Sequence, residues 1–338
     1  MGLKAAFSTS NDIITSGTCK SFWTFENGKW KKSNTPCFST SIFDKFLPRT
    51  KKLLAQRKLI FSSTKVKPFN NQRLRVLFSD KHQTYMALKQ FMAPTVKVTR
   101  LGSSHIEYFL QKLQNLIDKY SSKDDFSNAL ILKDRFGAGG LDVYRINPKN
   151  TIGIKSILTK NSHTSFIIQP FIKFNKGYVY HNTQNYTEIR LIYLRQKIVQ
   201  TYIRISGNKN FLCNEGKGGI EIKRKDVPQD VLGMALKILK VLKPGNALFA
   251  LDFIVSNKGN VYLLEGNISP GINWYNKYPK NVRMNKQMIN IIVAEILHRS
   301  RHVLTVKVVN KNLDALTHQS QDPQNLFQLL TPLPKEVV

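Results

Sequence analysis

Asp252 and Glu265 are the residues of this 338-residue chain whose types and spacing point most directly to chemistry. They lie in two apolar runs, LFALDFIV and NVYLLEGN, which read as strands flanking a turn at Asn257, Lys258, Gly259 and Asn260. With a loop of two residues (258–259) or four (257–260), the antiparallel register sets Asp252 opposite Glu265. Opposed side chains have Cβ atoms about 4.5–5.5 Å apart, and like charges so placed repel. Asn267 lies two residues beyond Glu265 and therefore on the same face. Two carboxylates and an amide oxygen form a hard donor set suited to Mg²⁺, with Mn²⁺ the alternative. The chain has 21 Asp and Glu against 52 Lys and Arg, so two opposed acids in apolar strands stand out. A three-residue loop would break this register and leave two unrelated solvent-facing acids.

Two loops could serve the same centre. In the run 132–143, Lys133 ends a strand, Gly137, Gly139 and Gly140 form a loop, and a second strand begins. Glycines let backbone N–H groups close over phosphates, and the lysine adds a point charge. The run is neither a P-loop nor a dinucleotide fingerprint, and a plain hairpin turn would use glycine in the same way. The second loop follows Arg204 and runs through Asn214 to Gly219. An arginine beside a flexible loop suits an anionic intermediate, and an ordinary basic surface loop has the same composition.

The elements that must position these groups follow from periodicity. A helix is expected over 80–91, capped by Asp80, with Tyr85, Leu88 and Met92 inward. Pro94 stops it. A second is expected over 104–120, with Ile106, Phe109, Leu110, Leu113, Leu116 and Ile117 on one face. Strands are expected at NALILKD, LDVYRI, SFIIQPFI, EIRLIYL and KIVQTYIRI, with helices over 227–242 and 285–299. Before 78 the chain mixes short apolar runs with basic loops. SIFDKFLPRT reads as the end of a strand opening a helix, and KLIFSS as a strand. The architecture expected is α+β with mostly antiparallel hairpins. The polar tail from 310 is expected to be loosely ordered.

The formal charge of +31 favours anionic partners, whether nucleic acid, acidic lipid or small anions. It is spread along the chain without a nucleic-acid-reading motif, so nucleic acid is not the expected partner and a lysine-rich surface explains the charge. No apolar stretch is long enough to span a membrane. Residues 1–17 lack the apolar core of a signal peptide, and Ala6 stands where myristoylation wants Ser or Thr. Cys19, Cys37 and Cys213 are scattered, which suggests neither a disulfide framework nor a zinc site. A cytoplasmic location is expected.

In order, these elements resemble the ATP-grasp superfamily, with the glutathione-synthetase and RimK-like branch of carboxylate–amine ligases closest. Ser79-Asp80-Lys81 with Ala93-Pro94-Thr95 is similar to its opening, and Lys133 with its glycines to its second lysine and phosphate-covering loop. Gln169-Pro170-Phe171-Ile172 looks like its adenine hinge. Glu188-Ile189-Arg190 resembles its D-I-R strand, the segment from Arg204 to Gly219 its basic loop, and Glu265-Gly266-Asn267-Ile268-Ser269-Pro270-Gly271 its close. Phe43 to Arg49, Phe69-Asn70-Asn71 and Phe78 to Lys81 also look like the YheC/YheD spore-coat-associated group.

The resemblance implies two α+β subdomains clasping ATP, over 79–170 and 171–302, after a small α/β pre-ATP-grasp domain over 1–78 and before a tail at 303–338. It implies a ligase in which ATP phosphorylates a carboxylate and an amine displaces phosphate. Lys81 and Lys133 would hold phosphates, the hinge would read adenine through Pro170 C=O and Ile172 N–H, and Asp252, Glu265 and Asn267 would bind the metal. Arg190, Arg204 and Asn214 are the catalytic candidates, with Gly219 beside the acceptor. An acidic peptide or protein would suit the basic surface as acceptor. The alternative is a coat-associated protein that keeps the fold and not the activity. Three departures bear on this reading: Glu188 stands where aspartate is usual, Lys173-Phe174-Asn175 supplies no acid for ribose, and Ala250 replaces an arginine found in some members.

Overall fold

Short strands and turns dominate the amino-terminal residues, where no apolar run is long enough to build a larger sheet. The computed structural model describes residues 5–45, 48, 50–98, 103–180, 185–207, 210–272 and 279–308, so the tail from 310 lies outside the described residues. Two compact units divide the chain: residues 1–70 together with those from 271 onward, and residues 71–270. The sequence reading set its first boundary at 78/79 and kept residues up to 302 with the central domain.

In the first unit, β1 (Ile13–Thr15), β2 (Thr18–Cys19), β3 (Phe22–Glu26), β4 (Lys29–Ser33), β5 (Cys37–Phe38) and β6 (Ser41–Ile42) precede α1 (Lys51–Ile60) and β7 (Lys67–Pro68). The order β1-β2-β5 forms one sheet, β3 and β4 a separate ribbon, and β6 and β7 pair in parallel across α1. Thr50 caps α1, its Oγ1 accepting the Leu53 N–H at 3.2 Å. KLIFSS is therefore not a strand: its first three residues close α1 and the rest turns away. Arg57 and Ile60 form the buried side of that helix, with Arg57 held by Asp44 at 2.9 Å. A polar residue inside the buried stripe hid the helical period.

In the second unit, α2 (Gln72–Ser79) is capped by Asn71 and α3 (Lys81–Leu88) by Asp80, whose Oδ1 accepts from His82 N–H at 3.0 Å. Then follow β8 (Val96–Lys97), α4 (Ser103–Asp118), β9 (Phe126–Asp134), β10 (Val143–Ile146), α5 (Thr151–Lys160) and β11 (Phe166–Ile172). These strands form the sheet β10-β9-β11-β8, packed on α4 and α5 through Ile106, Phe109, Leu132, Ile154, Leu158 and Ile168. After them come β12 (Thr187–Leu194), β13 (Lys197–Ile205), β14 (Ile220–Arg224), α6 (Gln229–Leu242), β15 (Leu248–Val255) and β16 (Val261–Asn267). The second sheet runs β14-β13-β12-β15-β16.

Because strand side chains alternate, Ile189, Leu191, Ile203, Leu251 and Phe253 point to one face, where they join Leu74, Leu88, Val231 and Ile238 in the core. The intervening Glu188, Arg190, Arg204 and Asp252 line the opposite face, and all four are buried. α7 (Pro279–Val308) groups with the first unit. No helix among the described residues is long and apolar enough to cross a membrane.

Candidate active site

Register builds a charged row across the second sheet. Lys223 on β14, Tyr202 on β13, Arg190 on β12, Asp252 on β15 and Glu265 on β16 are successive partners. Asp252 has no exposed surface, and its carboxylate accepts from Nε and Nη2 of Arg190 and, at 3.2 Å, from Nη2 of Arg204. Burial by itself would raise the Asp252 pKa, but the two guanidiniums outweigh it and hold the carboxyl below the usual range. Arg204 also ion-pairs with Glu188, its partner on β12. Burial pushes Glu188 up to about 7, against the pull of Arg204 and with the added repulsion of Asp252.

The Asp252–Glu265 pairing arises differently from the even loop expected. Val255 pairs with Val261, which leaves five residues, 256–260, in the turn. That register alone would set Asp252 opposite residue 264. The ladder shifts between Asp252 and Phe253, Leu264 takes up the extra place, and Asp252 meets Glu265. An odd loop and a bulge cancel.

Among the described residues no three His, Cys, Asp or Glu gather as a metal cluster. The remaining hard donors are Glu265, 29% exposed at the side chain, and the Asn267 amide, whose Oδ1 accepts from Ser269 N–H at 2.9 Å. An ionised carboxylate has about four acceptor positions; on Asp252 the guanidiniums make three contacts and the Glu188 carboxyl a fourth, which fills them. Glu265 and Asn267 are therefore the donors open to a divalent cation, and Asp252 would join them by releasing one of these partners. The donor set fits such an ion.

Lys133 is 6% exposed. Burial, then the charge of Lys81, pushes its pKa down to about 8, with Glu265 and Glu188 pulling the other way. Lys81 donates through Nζ to the Gly137 carbonyl and through its backbone N–H to Arg135 O at 3.0 Å. Asp80, besides capping α3, accepts from Arg135 Nε at 2.6 Å. Helix α3 and the glycine loop are thereby fastened together. Gly140 has φ +74°, and a Cβ there would sit 2.7 Å from Asn214 Oδ1. The two loops meet at that point.

At the hinge, Gln169 Nε2 donates to Thr95 Oγ1 at 2.6 Å, and the β9–β11 ladder slips between Pro170 and Ile172. The Arg145 guanidinium lies 4.0 Å from the centroid of the Phe171 ring. A pocket runs from this hinge to the loops. Lys81, Lys133, Gly137, Gly139, Gly140, Gln169, Pro170, Phe171, Ile172, Asn214 and Glu265 all line it. Arg190, Arg204, Asp252 and Asn267 are not on that wall; the first three are joined to it through the paired charges behind Glu265 and Glu188.

Sequence reasoning missed the apolar wall (Ile131, Val143, Ile254 and Leu264) and the polar clamp at Asp125. Asp125 accepts from Ser256 Oγ at 2.9 Å, Asn260 Nδ2 at 2.8 Å and Tyr262 Oη at 2.6 Å. Its partners lie more than a hundred residues away, so no local spacing signals it.

The family model of the RimK-like ATP-grasp domain matches residues 51–292. The chain belongs to the RimK-like ATP-grasp family. Over 148 residues it is 31% identical to a probable alpha-L-glutamate ligase of Histophilus somni, a match covering 44% of this chain and 45% of that protein. The chain thus matches about half the length of this relative. Among solved structures, D-alanyl-alanine synthetase A of Vibrio cholerae is similar with TM-score 0.55 and 12% identity, over 87% of this chain and 83% of that one. A RimK domain ATP-grasp protein of Sphaerobacter thermophilus is similar with TM-score 0.50 and 12% identity, over 76% and 81%. At such identity these two structures establish the shared α+β ATP-grasp fold.

Proposed function

We propose that this RimK-like ATP-grasp protein is an ATP-dependent carboxylate–amine ligase that forms an amide bond through an acylphosphate. The observation that carries this reading is Lys133, a buried lysine on the wall of one pocket with the glycine loop, the hinge and Glu265. A lysine kept out of water with a lowered pKa gains an anionic partner at little further desolvation.

Adenine would lie against Gln169, Pro170, Phe171 and Ile172, with Ile131 and Ile254 on its faces. Lys133 and Lys81 would hold phosphates, Lys81 giving up its bond to the Gly137 carbonyl. A substrate carboxylate oxygen attacks the γ-phosphorus, ADP leaves, and the amine then attacks the acyl carbon and expels phosphate. Arg204, with Arg190 supporting its charge row, would stabilise the negative charge that builds up on the transferring group. Asn214, at the junction of the loops, would orient the acceptor. Asp252, Glu265 and Asn267 would hold Mg²⁺ or Mn²⁺, which when bound neutralises phosphate charge.

The name of the Histophilus somni relative supports an α-amino acid such as glutamate as the amine donor. The charge of +31 supports an acidic peptide or protein as the acceptor, in the cytoplasm where ATP is abundant. The test is release of ADP and phosphate from ATP and Mg²⁺ in the presence of an amino-acid panel with acidic peptides. Turnover that needs both an acid and an amine supports the proposal. Nucleotide binding without turnover across the panel rejects it.

A further inference from the structure

The first unit brings together two cysteines that sequence spacing had left apart. Cys19 on β2 and Cys37 on β5 are direct partners in an antiparallel pair. Directly opposed residues put their side chains on the same face. The ladder is anchored close by: Ser39 N–H donates to Gly17 O at 2.9 Å, and Gly17 N–H to Ile60 O at 2.9 Å. Beyond Cys19, Lys20 N–H donates to Asp12 O at 2.7 Å, so β2 is held on both sides of the cysteine.

The 17–39 pair exchanges a hydrogen bond, and antiparallel pairs alternate, so 19–37 is again a hydrogen-bonded pair with its Cα atoms about 5.5 Å apart. That falls within the roughly 4.4–6.8 Å span of disulfides. The Cβ atoms of such a pair start somewhat wider than a relaxed disulfide wants, so closure draws the strands inward and leaves the bond readily reducible. Both cysteines are half-buried, whereas Cys213 is buried and its Sγ–H donates to Tyr186 O at 3.3 Å.

We propose that Cys19 and Cys37 form a reversible cross-strand disulfide by exchange with a small-molecule disulfide such as oxidised glutathione. One thiolate attacks a glutathione sulfur, forming a mixed disulfide and releasing one glutathione thiolate. The second thiol loses its proton and attacks the protein sulfur of that mixed disulfide, releasing the second glutathione. Two electrons and two protons pass from the cysteines to the co-reactant, which leaves as two thiols. Burial raises both thiols, the proximity of Cys19 adding to the effect on Cys37, so exchange quickens towards alkaline pH.

The test treats the full chain with excess oxidised glutathione, quenches with acid and an alkylating agent, and reads intact mass and mapped peptides. The expected product has lost two hydrogens and yields a linked peptide pair containing Cys19 and Cys37, with Cys213 alkylated only after denaturation. Dithiothreitol returns the starting mass. Cys37→Ser should instead stop at a single glutathione adduct on Cys19. Wild-type protein carrying only stable glutathione adducts, or linked only between chains, would overturn the proposal. Circular dichroism of each variant before oxidation separates misfolding from loss of the partner thiol, and a misfolded Cys37→Ser is replaced by Cys19→Ala, for which an adduct on Cys37 alone is required.

Discussion

Lys133→Met removes a charge that folding takes out of water, and it separates stability from ligand binding. In the unfolded chain this lysine keeps its proton to about 10.5; folded, it releases the proton at about 8. Between those values the unfolded state binds more protons, so wild-type stability rises with pH across that window. The penalty is present in full below pH 8 and gone above 10.5. At about 1.4 kcal/mol per pKa unit, the shift corresponds to roughly 3 kcal/mol at neutral pH. Methionine has a similar length and no charge to desolvate, so the variant should be stabilised by up to about that amount.

For a unit of this size the gain appears as a rise of roughly 6–12 °C in Tm. Thermal unfolding of both proteins at pH 7 and at pH 10, followed by circular dichroism, measures it. The gain should shrink strongly at the higher pH, and nucleotide binding by calorimetry should be lost at both. A destabilised variant at pH 7, or a gain that does not change with pH, would falsify the account of Lys133.

Four further outcomes follow from the same geometry. Wild-type affinity for ATP should fall as pH rises through about 8, because the phosphates favour protonated Lys133; titration calorimetry in buffers of different ionisation heat should register proton uptake on binding. Asp252→Asn leaves Arg190 and Arg204 facing a neutral group in a buried site and should cost about 3–5 kcal/mol in urea unfolding. Glu265→Gln, at a partly exposed position, should leave stability within about 1 kcal/mol while abolishing metal-dependent nucleotide binding, and equal destabilisation in the two variants would count against the division. Gly140→Ala should be destabilised by about 1–2 kcal/mol through its positive φ and its approach to Asn214, with weaker ATP binding than wild type.

The sequence revealed much of the sheet framework because most of its strands are apolar runs of strand length bounded by turn residues. Pocket residues from Lys81 to Glu265 were legible through motif order. Other elements carried weaker signals. β14 is IEIKR, whose short alternation is inverted, Glu221 and Lys223 being buried against each other at 2.6 Å while Ile220 is exposed, so its pattern gives no core face to read. α5 has only Ile154 and Leu158 fully buried. The Asp252–Glu265 pairing was reached from an assumed even loop, and the bulge at Leu264 made the outcome right by another route. A bulge depends on how two strands coil against their neighbours, and no local residue choice announces it.

The clamp at Asp125 has a consequence for how a nucleotide enters. Its carboxylate gathers three donors from the β15–β16 turn and strand, while Asn257 N–H reaches across to Lys173 O at 2.7 Å just past the hinge. At the base end the two sheets are thus tied by several bonds. At the glycine-loop end, among the described residues, the approach is between loops, at Gly140 and Asn214. Any parting of the sheets is therefore asymmetric, like a book held at its spine. Adenosine alone should meet a ready-made slot whose affinity ignores changes in the glycine loop. The phosphates of ATP would lie at the loop edge, so the rate at which that edge opens should set how long the whole molecule stays.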